Sequence, residues 1–429
     1  LFMQMLEQTL GRSVFDKAMQ QYFEQWKFKH PSPADLKAVL EQVSSTNLDH
    51  EFSLLNKTGP LVKSNKVKLK FKPLIGFGND STRTIIATPF LGYNRYDGLM
   101  IGTGITNFTL PASKLQFLAA PMYATKSKQL NGIGRISYTF YPEKTFSRIT
   151  LAVSGMKFTT NDFTDTAGTI YRTGFRKLVP SIKFVFKEND PLSTRERFIQ
   201  WKTFLLNEDD LNFRRDTFSN GNRFTVIKKV KEARYLNQLR FVIRDTRALY
   251  PYGAELMAEQ ARNFVRLSFT GNYHFNYNEK QGVDVRFFAG KFFYTGNITT
   301  TARFQTDTFH LNLTGANGYE DYTYNNYFVG RTEFEGFASQ QIMQRDGFFK
   351  VRTDLLASKV GKTDNWLTAI NFTTDIPDQI NILNVLPVKI PVKAFLDIGT
   401  FAEAWDSKSE ISKIVYDAGL QISLLKNTV

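Results

Sequence analysis

Residues 265–277 read VRLSFTGNYHFNY. Taken alternately, Val265, Leu267, Phe269, Gly271, Tyr273, Phe275 and Tyr277 fall on one face. Arg266, Ser268, Thr270, Asn272, His274 and Asn276 fall on the other. Successive side chains of a β-strand point to opposite faces, so this stretch has one apolar side and one wholly polar side. It is long beside the about 5–6 residues of an ordinary strand, and a tilted membrane-spanning strand needs about 9–11. A half-exposed sheet of a soluble protein could supply one such segment, so the weight lies in repetition.

The pattern returns along most of the chain. In 135–141, Ile136, Tyr138 and Phe140 oppose Arg135, Ser137 and Thr139. In 149–155, Ile149, Leu151 and Val153 oppose Thr150, Ala152 and Ser154. Ile182, Phe184 and Phe186 oppose Ser181 and Lys183, with Val185 the exception, and Leu239, Phe241 and Ile243 oppose Arg240 and Arg244. Near the end, Ile414, Tyr416, Ala418, Leu420, Ile422 and Leu424 oppose Asp417, Gly419, Gln421 and Ser423. Long strands with one apolar and one polar face describe a mainly β chain, a transmembrane antiparallel β-barrel with a polar interior. The expected strands are 66–77, 83–93, 98–108, 114–124, 131–141, 147–158, 178–188, 195–206, 222–231, 235–246, 262–277, 282–294, 300–313, 328–337, 347–356, 365–373, 391–401 and 413–425. Some of these are loop hairpins, leaving about 12 to 16 wall strands, even in number. Regions 159–177 and 314–327, rich in Gly, Asn, Asp, Thr and Tyr, read as long outer loops.

Composition agrees. The 429 residues are 22% charged and 14% aromatic, with 40 Phe and 18 Tyr. A mean hydropathy of −0.30 looks soluble, but a barrel wall is only half apolar and shows no continuous apolar run. No stretch reaches the roughly 18 apolar residues of a membrane helix. The net charge of +15 does not signal nucleic acid, because the basic residues are spread over strand faces and turns. A basic lumen, or rims facing anionic headgroups, accounts for them as well. Without cysteine there is no disulfide, thiol nucleophile or thiolate metal site. The chain opens at Leu1 with no basic-plus-apolar signal region, and an exported barrel needs one. The expectation is therefore a piece of a longer precursor, cut also at Val429, where a terminal aromatic is missing.

Residues 1–57 differ. Met3, Leu6 and Leu10, then Val14, Ala18, Tyr22 and Trp26, follow helical spacing. Gly11 separates the first two helices, with Ser13 as cap of the second. Ser32 and Pro33 suit the cap and first turn of a third, which carries Leu36, Val39, Leu40 and Val43. A short fourth holds Leu48, Phe52 and Leu55. This bundle is too small for a sizeable core of its own and is expected to pack on chain that precedes it. Phe15-Asp16-Lys17-Ala18-Met19, Tyr22, the run from Trp26 through Pro33, Asp35-Leu36, Asn47-Leu48-Asp49 and Phe52 resemble the end of the catalytic domain in gluzincin (thermolysin-like) zinc aminopeptidases. The likeness is greatest to the envelope-associated Bacteroidetes version, in which a C-terminal barrel follows the peptidase. Its zinc motif needs two His one turn apart with a Glu between them, and His30, His50, His274 and His310 do not supply it. His30 reads as an inter-helix turn residue. Tyr93-Asn94-Arg95-Tyr96-Asp97-Gly98, followed by Gly102 and Gly104, resembles a hairpin of Bacteroidetes envelope barrels and reads on its own as a tight turn.

Other fragments mimic motifs without their context. Gly102–Gly104 and Gly132–Gly134 lack a phosphate-binding Lys, and Glu208-Asp209-Asp210 lacks a calcium loop and reads as a solvated loop. The sequons at Asn297 and Asn371 carry no weight in turn-rich sequence. Arg266 and Arg286, on polar faces, read as members of a plug-like network of salt bridges. No catalytic, cofactor-binding or metal-ligating residue is assigned. The expected domains are 1–57, the helical end of a peptidase-like domain, a linker at 58–65, and the barrel at 66–429. The leading expectation is the membrane-anchored C-terminal region of a zinc metallo-aminopeptidase-like protein, with zinc implied only for the upstream domain. The alternative is a non-catalytic outer-membrane transport or assembly barrel with a helical docking module. Expected partners are outer-membrane lipid and lipopolysaccharide, a peptide substrate of the upstream domain, and other envelope proteins in a complex, with no nucleic acid. The expected location is the outer membrane, with the N-terminal side periplasmic.

Overall fold

The computed structural model describes residues 2–56, 67–71, 83–108, 112–142, 144–190, 192–217, 223–278, 281–296, 309–314, 321–325, 344–353, 360–377, 381 and 391–422. The chain divides into two compact units, Leu1–Thr88 with Ile105–Gln116, and Pro89–Gly104 with Phe117–Val429.

Helices α1 (Phe2–Leu10), α2 (Arg12–Trp26), α3 (Pro33–Ser44) and α4 (Asp49–Ser53) belong to the first unit, and a 3-10 turn follows at Leu54–Asn56. Gly11, at φ 76°, occupies the cap position of α2, so Ser13 lies inside the helix rather than at its cap. The α3 start is a capping box in which the Ser32 hydroxyl and backbone N–H both donate to the Asp35 carboxylate, at 2.6 and 2.8 Å. Those donors, the hydroxyl foremost, hold the Asp35 carboxyl below its ordinary range. Leu6, Ala18, Leu40 and Leu48 are fully buried together, with Phe2, Leu10, Phe15 and Phe52 packed round them.

One sheet runs in sequence order through β2 (Arg83–Asn94), β3 (Gly98–Thr106), β4 (Leu115–Ala124), β5 (Leu130–Phe140), β6 (Phe146–Thr164), β7 (Ile170–Phe186), β8 (Arg195–Thr217), β9 (Arg223–Asp245), β10 (Tyr252–Gln260), β11 (Phe264–Asn276), β12 (Gly282–Tyr294), β15 (Trp366–Asp375), β16 (Val392–Phe401) and β17 (Val415–Ile422). These 14 strands form an antiparallel meander, within the 12 to 16 expected. A short β1 (Val67–Phe71) adds to β2 in parallel. Two further short strands, β13 (Leu311–Asn312) and β14 (Lys362–Thr363), pair with each other outside this sheet.

The two faces of the sheet invert the burial of a soluble protein. Along β11, Arg266 and Ser268 are 1% and 5% exposed, whereas Leu267 and Phe269 are 44% and 40% exposed. Tyr273 and Phe275 further along β11, and Leu239, Phe241, Leu256, Phe287 and Phe293 on neighbouring strands, are exposed in the same way. The opposite face closes round a large apolar cluster, beside a smaller one of Val185, Phe198 and Val242. Members of the large cluster run from Met100 on β3 and Met122 on β4, through Phe204, Leu236 and Phe288, to Phe401 on β16. Phe90 on β2 and Val415 on β17 pack against the same cluster, so both ends of the meander reach one interior. The sheet is a barrel with its polar face inward.

Several sequence-based assignments change. Region 159–177, expected as an outer loop, is the continuation of β6 and β7, paired from Phe158↔Phe175 to Thr164↔Ile170. Segments 222–231 and 235–246 are one strand, β9. Residues 252–260 form β10, which the pattern did not indicate. The described residues of 347–356 form no strand. Of 300–313, only Leu311–Asn312 is a strand among the described residues. Of 314–327, Thr314 and residues 321–325 are described, and they lie buried against the wall apart from Asn325. The linker at 58–65 and the segment 328–337 lie outside the described residues.

Close approach between β3 and β4 depends on Gly102, because a Cβ there would stand 1.9 Å from the Pro121 carbonyl oxygen and 2.8 Å from the Met122 Cα. Backbone cannot yield as a side-chain tip can. Gly102→Ala is expected to lower the thermal unfolding midpoint of the detergent-solubilised barrel markedly, read as heat-modifiable migration on gels. Gly134→Ala is the comparison, since only the Leu118 carbonyl oxygen, at 3.7 Å, stands near its added Cβ; it should leave the midpoint close to that of the parent.

Candidate functional site

The chain between β12 and β15 turns into the barrel. Its described pieces, 309–314, 321–325 and 344–353, contribute Leu311, Leu313, Tyr322, Tyr324 and Phe349 to the interior cluster. Gly347 lets this segment cross itself closely, since an added Cβ would lie 2.5 Å from the Leu313 carbonyl oxygen. Thus part of region 314–327 is an inward-folded segment and not an outer loop.

Charge seats the segment on the wall. Arg266, pointing inward from β11, donates to the Asp346 carboxylate at 2.8 Å and to the Tyr322 hydroxyl. Glu259 on β10 lies 3.4 Å from the same guanidinium and accepts from the Tyr322 hydroxyl at 2.5 Å and from Gln238 on β9 at 2.7 Å. Arg345 pairs with Asp321, whose carboxylate also accepts from the backbone N–H groups of Thr323 and Asn325, both at 3.0 Å. Arg266, Glu259, Tyr322, Asp321 and Asp346 are all buried. Bare burial of such charges is costly, and pairing and hydrogen bonding offset much of it, although Arg266 Nε is left without a partner.

Two further clamps lie to either side. Lys177 on β7 donates to the carbonyls of Thr323 and Tyr324, both at 2.8 Å, while Phe175 stacks on Tyr324 with centroids 4.0 Å apart. Across the lumen, Lys350 donates to Asp397 on β16 at 2.7 Å, and Val351 N–H donates to Asp417 on β17 at 2.8 Å. Asn371 on β15 joins this group: its amide donates to Asp397 at 3.0 Å and to the Gly347 carbonyl at 2.9 Å, and its oxygen accepts from Arg286 at 3.0 Å. The segment is thereby tied to β7, β10, β11, β15, β16 and β17.

Arg266 and Arg286 therefore both belong to the lumen network. Their partners Glu259, Tyr322, Asp321, Arg345, Asp346 and Asp397 carried no sequence motif, although Arg345-Asp346-Gly347 next to Phe348-Phe349 is an unusual run of charge, Gly and aromatics. Asp97 of the Tyr93–Gly98 motif is fully buried in its turn, with Gly98 at φ 68°. Its carboxylate accepts from Asn94 at 2.9 Å, from the Ser127 hydroxyl at 2.6 Å and from the Thr159 hydroxyl at 2.6 Å. Glu208 and Asp209, read as part of a solvated loop, lie on β8 and pair with Arg234 and Lys229 on β9 at 2.6 and 2.9 Å. His30 and His50 are exposed in the helical unit, and His274 lies 2.7 Å from Asp284. Among the described residues, no three His, Asp or Glu side chains are grouped to hold a metal.

No family model and no curated protein matches the sequence. The resemblance of the helical segment to aminopeptidases gains no support there. Solved structures that match include the crystal structure of BamA from Haemophilus ducreyi lacking POTRA domains 1-3, at 9% identity and a TM-score of 0.40, covering 79% of this chain and 65% of that one. CdiB from Acinetobacter baumannii matches at 11% identity and a TM-score of 0.38, covering 80% of this chain and 53% of that one. This chain spans less than two thirds of either. Likenesses this loose carry nothing about activity, and the barrel rests on its own strand pairing and burial.

Removing the central cation should be severe. Arg266→Met leaves Glu259 and Asp346 buried without their guanidinium and is expected to cost about 3–5 kcal/mol. Tyr322→Phe, which leaves one acceptor of Glu259 unmet, should cost about 1–3 kcal/mol. Urea unfolding in detergent, followed by tryptophan fluorescence, ranks the two.

Proposed function

We propose that this chain is an outer-membrane barrel working in transport or assembly, with the lumen closed by the inward segment and the N-terminal helices acting as a docking module. The observation that carries this reading is the way the lumen is filled. A separate stretch of chain enters it and is seated largely by ion pairs and hydrogen bonds, and a cavity of about 380 Å³ stays open beneath residues 344–346. A barrel serving only as an anchor has no need of an inserted segment. A gate needs contacts that water or a partner can replace, and polar contacts are of that kind.

The membrane part of the proposal follows from the outward face. Exposed Leu, Phe and Tyr side chains on adjacent strands β9 to β12 make an apolar outer face of the kind that marks a membrane-facing surface. Barrels built from antiparallel strands with an apolar outer face are one of the two architectures that span lipid. Short links occur at both rims, but the long insertion between β12 and β15 springs from the rim opposite the one where β2 begins. Long loops of such barrels face the outside, so the place of this insertion supports a periplasmic entry of the chain into β2.

In a planar lipid bilayer the parent barrel is expected to stay closed or to open rarely. Arg266→Gln combined with Lys350→Gln, which releases the segment from both sides of the lumen, should give steady conductance at the same protein load. A folded double variant, confirmed by heat-modifiable migration, that remains as silent as the parent would overturn the gate.

A second reading is supported by the helical unit. The spacing of Phe15, Tyr22, Trp26, His30, Pro31 and Phe52 resembles the close of a gluzincin peptidase domain, and Phe23, 65% exposed, has no cover within its own small bundle. On that reading the barrel anchors a zinc aminopeptidase. Protein isolated from the outer-membrane fraction should then have an intact mass well above 49.3 kDa, bind zinc stoichiometrically and release N-terminal residues from peptides. A mass near that value without zinc ends the reading.

A further inference from the structure

The cavity beneath residues 344–346 is bounded by the inner faces of β8 to β12. Among the described residues five arginines line it, Arg240, Arg244, Arg266, Arg286 and Arg345, against two carboxylates, Glu255 and Asp346. Pairing does not even out this imbalance. Arg240 pairs with Glu255 at 2.5 Å. Arg266 and Arg345 are met by Glu259, Asp321 and Asp346. Arg244, however, shares Glu196 with Arg148 at 2.9 Å and Lys183 at 3.7 Å, so one carboxylate serves three cations. Arg286 is 93% buried, since 7% of it is exposed, and its one hydrogen bond to a neighbouring side chain goes to the neutral Asn371. No carboxylate lies within 4.0 Å of Arg286 among the described residues, and Asp397, beyond Asn371, is taken by Lys350.

Among the described residues the cations round this space outnumber the carboxylates, with Arg286 withdrawn from water and Arg244 and Arg148 about half exposed, at 53% and 49%. A buried guanidinium such as Arg286, with no carboxylate within 4.0 Å among the described residues, is stabilised by an anion that enters its site. Guanidinium forks match the oxygens of a phosphate or carboxylate in pairs, and a phosphate monoester is a dianion near neutral pH. The barrel wall separates the cavity from the apolar outer face, so the ligand comes from water and not from a bilayer headgroup. We propose that the lumen cavity is a binding site for the dianionic phosphate group of a small soluble ester, held by Arg286, Arg244 and Arg240. The inference needs only the inward polar face, and it stands or falls separately from the gate.

The full chain in non-ionic detergent would be titrated calorimetrically with inorganic phosphate and with glycerol 2-phosphate at constant ionic strength, with chloride as the reference anion. Saturable binding at one site is expected for both phosphates. Arg286→Gln, which can keep its bond to Asn371, should weaken binding by about 10-fold or more. Lys202→Gln is a second probe that spares every ion pair given above: Lys202 shares the inward face of β8 with Phe198, and removing its charge should weaken binding less, with the fold intact. Phosphate bound no more tightly than chloride would mean an adventitious ion only. Unchanged affinity in folded Arg286→Gln protein would place the anion elsewhere. Either result overturns the proposal.

Discussion

A wall that turns Leu256, Leu267, Phe269 and Phe287 outward leaves its charged side chains only the inside. Strand alternation makes this unavoidable: each outward apolar residue is followed by one that points into the lumen. A lumen residue such as Arg266, 1% exposed, then needs partners, because a buried guanidinium without hydrogen-bond partners is costly. One partner, Glu259, comes from the next strand of the wall. Two others, Asp346 and Tyr322, come from the segment between β12 and β15. The inward fold of that segment is the consequence of an inside that is charged.

The seat so formed sets position more than it adds stability. Ion pairs withdrawn from water recover little net free energy over an apolar packing of the same shape, but breaking one is expensive. The segment is thus held in one place by a penalty on every other place. Apolar contacts reinforce it, with Leu311, Leu313 and Phe349 fully buried in the common cluster, and Gly347 permits the near approach to Leu313 that brings Asp346 under Arg266. Specific position with modest net energy is what a closed but releasable element requires.

The barrel itself was legible because its signal is local and repeated. Residues 265–277 display their two faces within one strand, and β5, β6, β9 and β17 do likewise. What escaped were elements whose residues are set by distant partners. In β10, Glu255, Met257 and Glu259 alternate with Ala254, Leu256 and Ala258, a mixture that also suits a helix, and only Arg240 and Arg266 on neighbouring strands explain the acids. Residues 159–177 have the Asn, Asp, Gly and Thr content of loops, yet β6 and β7 run through them because each pairs with the other. Asp321 and Tyr322 looked like loop residues for the same reason: their partners Arg345, Glu259 and Arg266 lie 24 to 63 positions away. The helices were readable, being short and locally patterned, and α3 carries its own cap. Ser32 was found in its place, and the one displaced cap, Gly11 for Ser13, shifted by two residues.

The same distinction governs the charge. A net +15 is compatible with a nucleic-acid patch, a lipid-facing rim or a basic interior, and composition alone cannot divide these. Topology divides them, because Arg148, Lys183, Arg240, Arg244, Arg266 and Arg286 all occupy inward positions of β6, β7, β9, β11 and β12. Within water each would be screened over about 10 Å. Gathered inside one wall round Glu196, Glu255 and Glu259, they act on a common space, and their field is directed along the lumen and not at the surface. The basic character of this chain is therefore a property of its interior as well as of its surface.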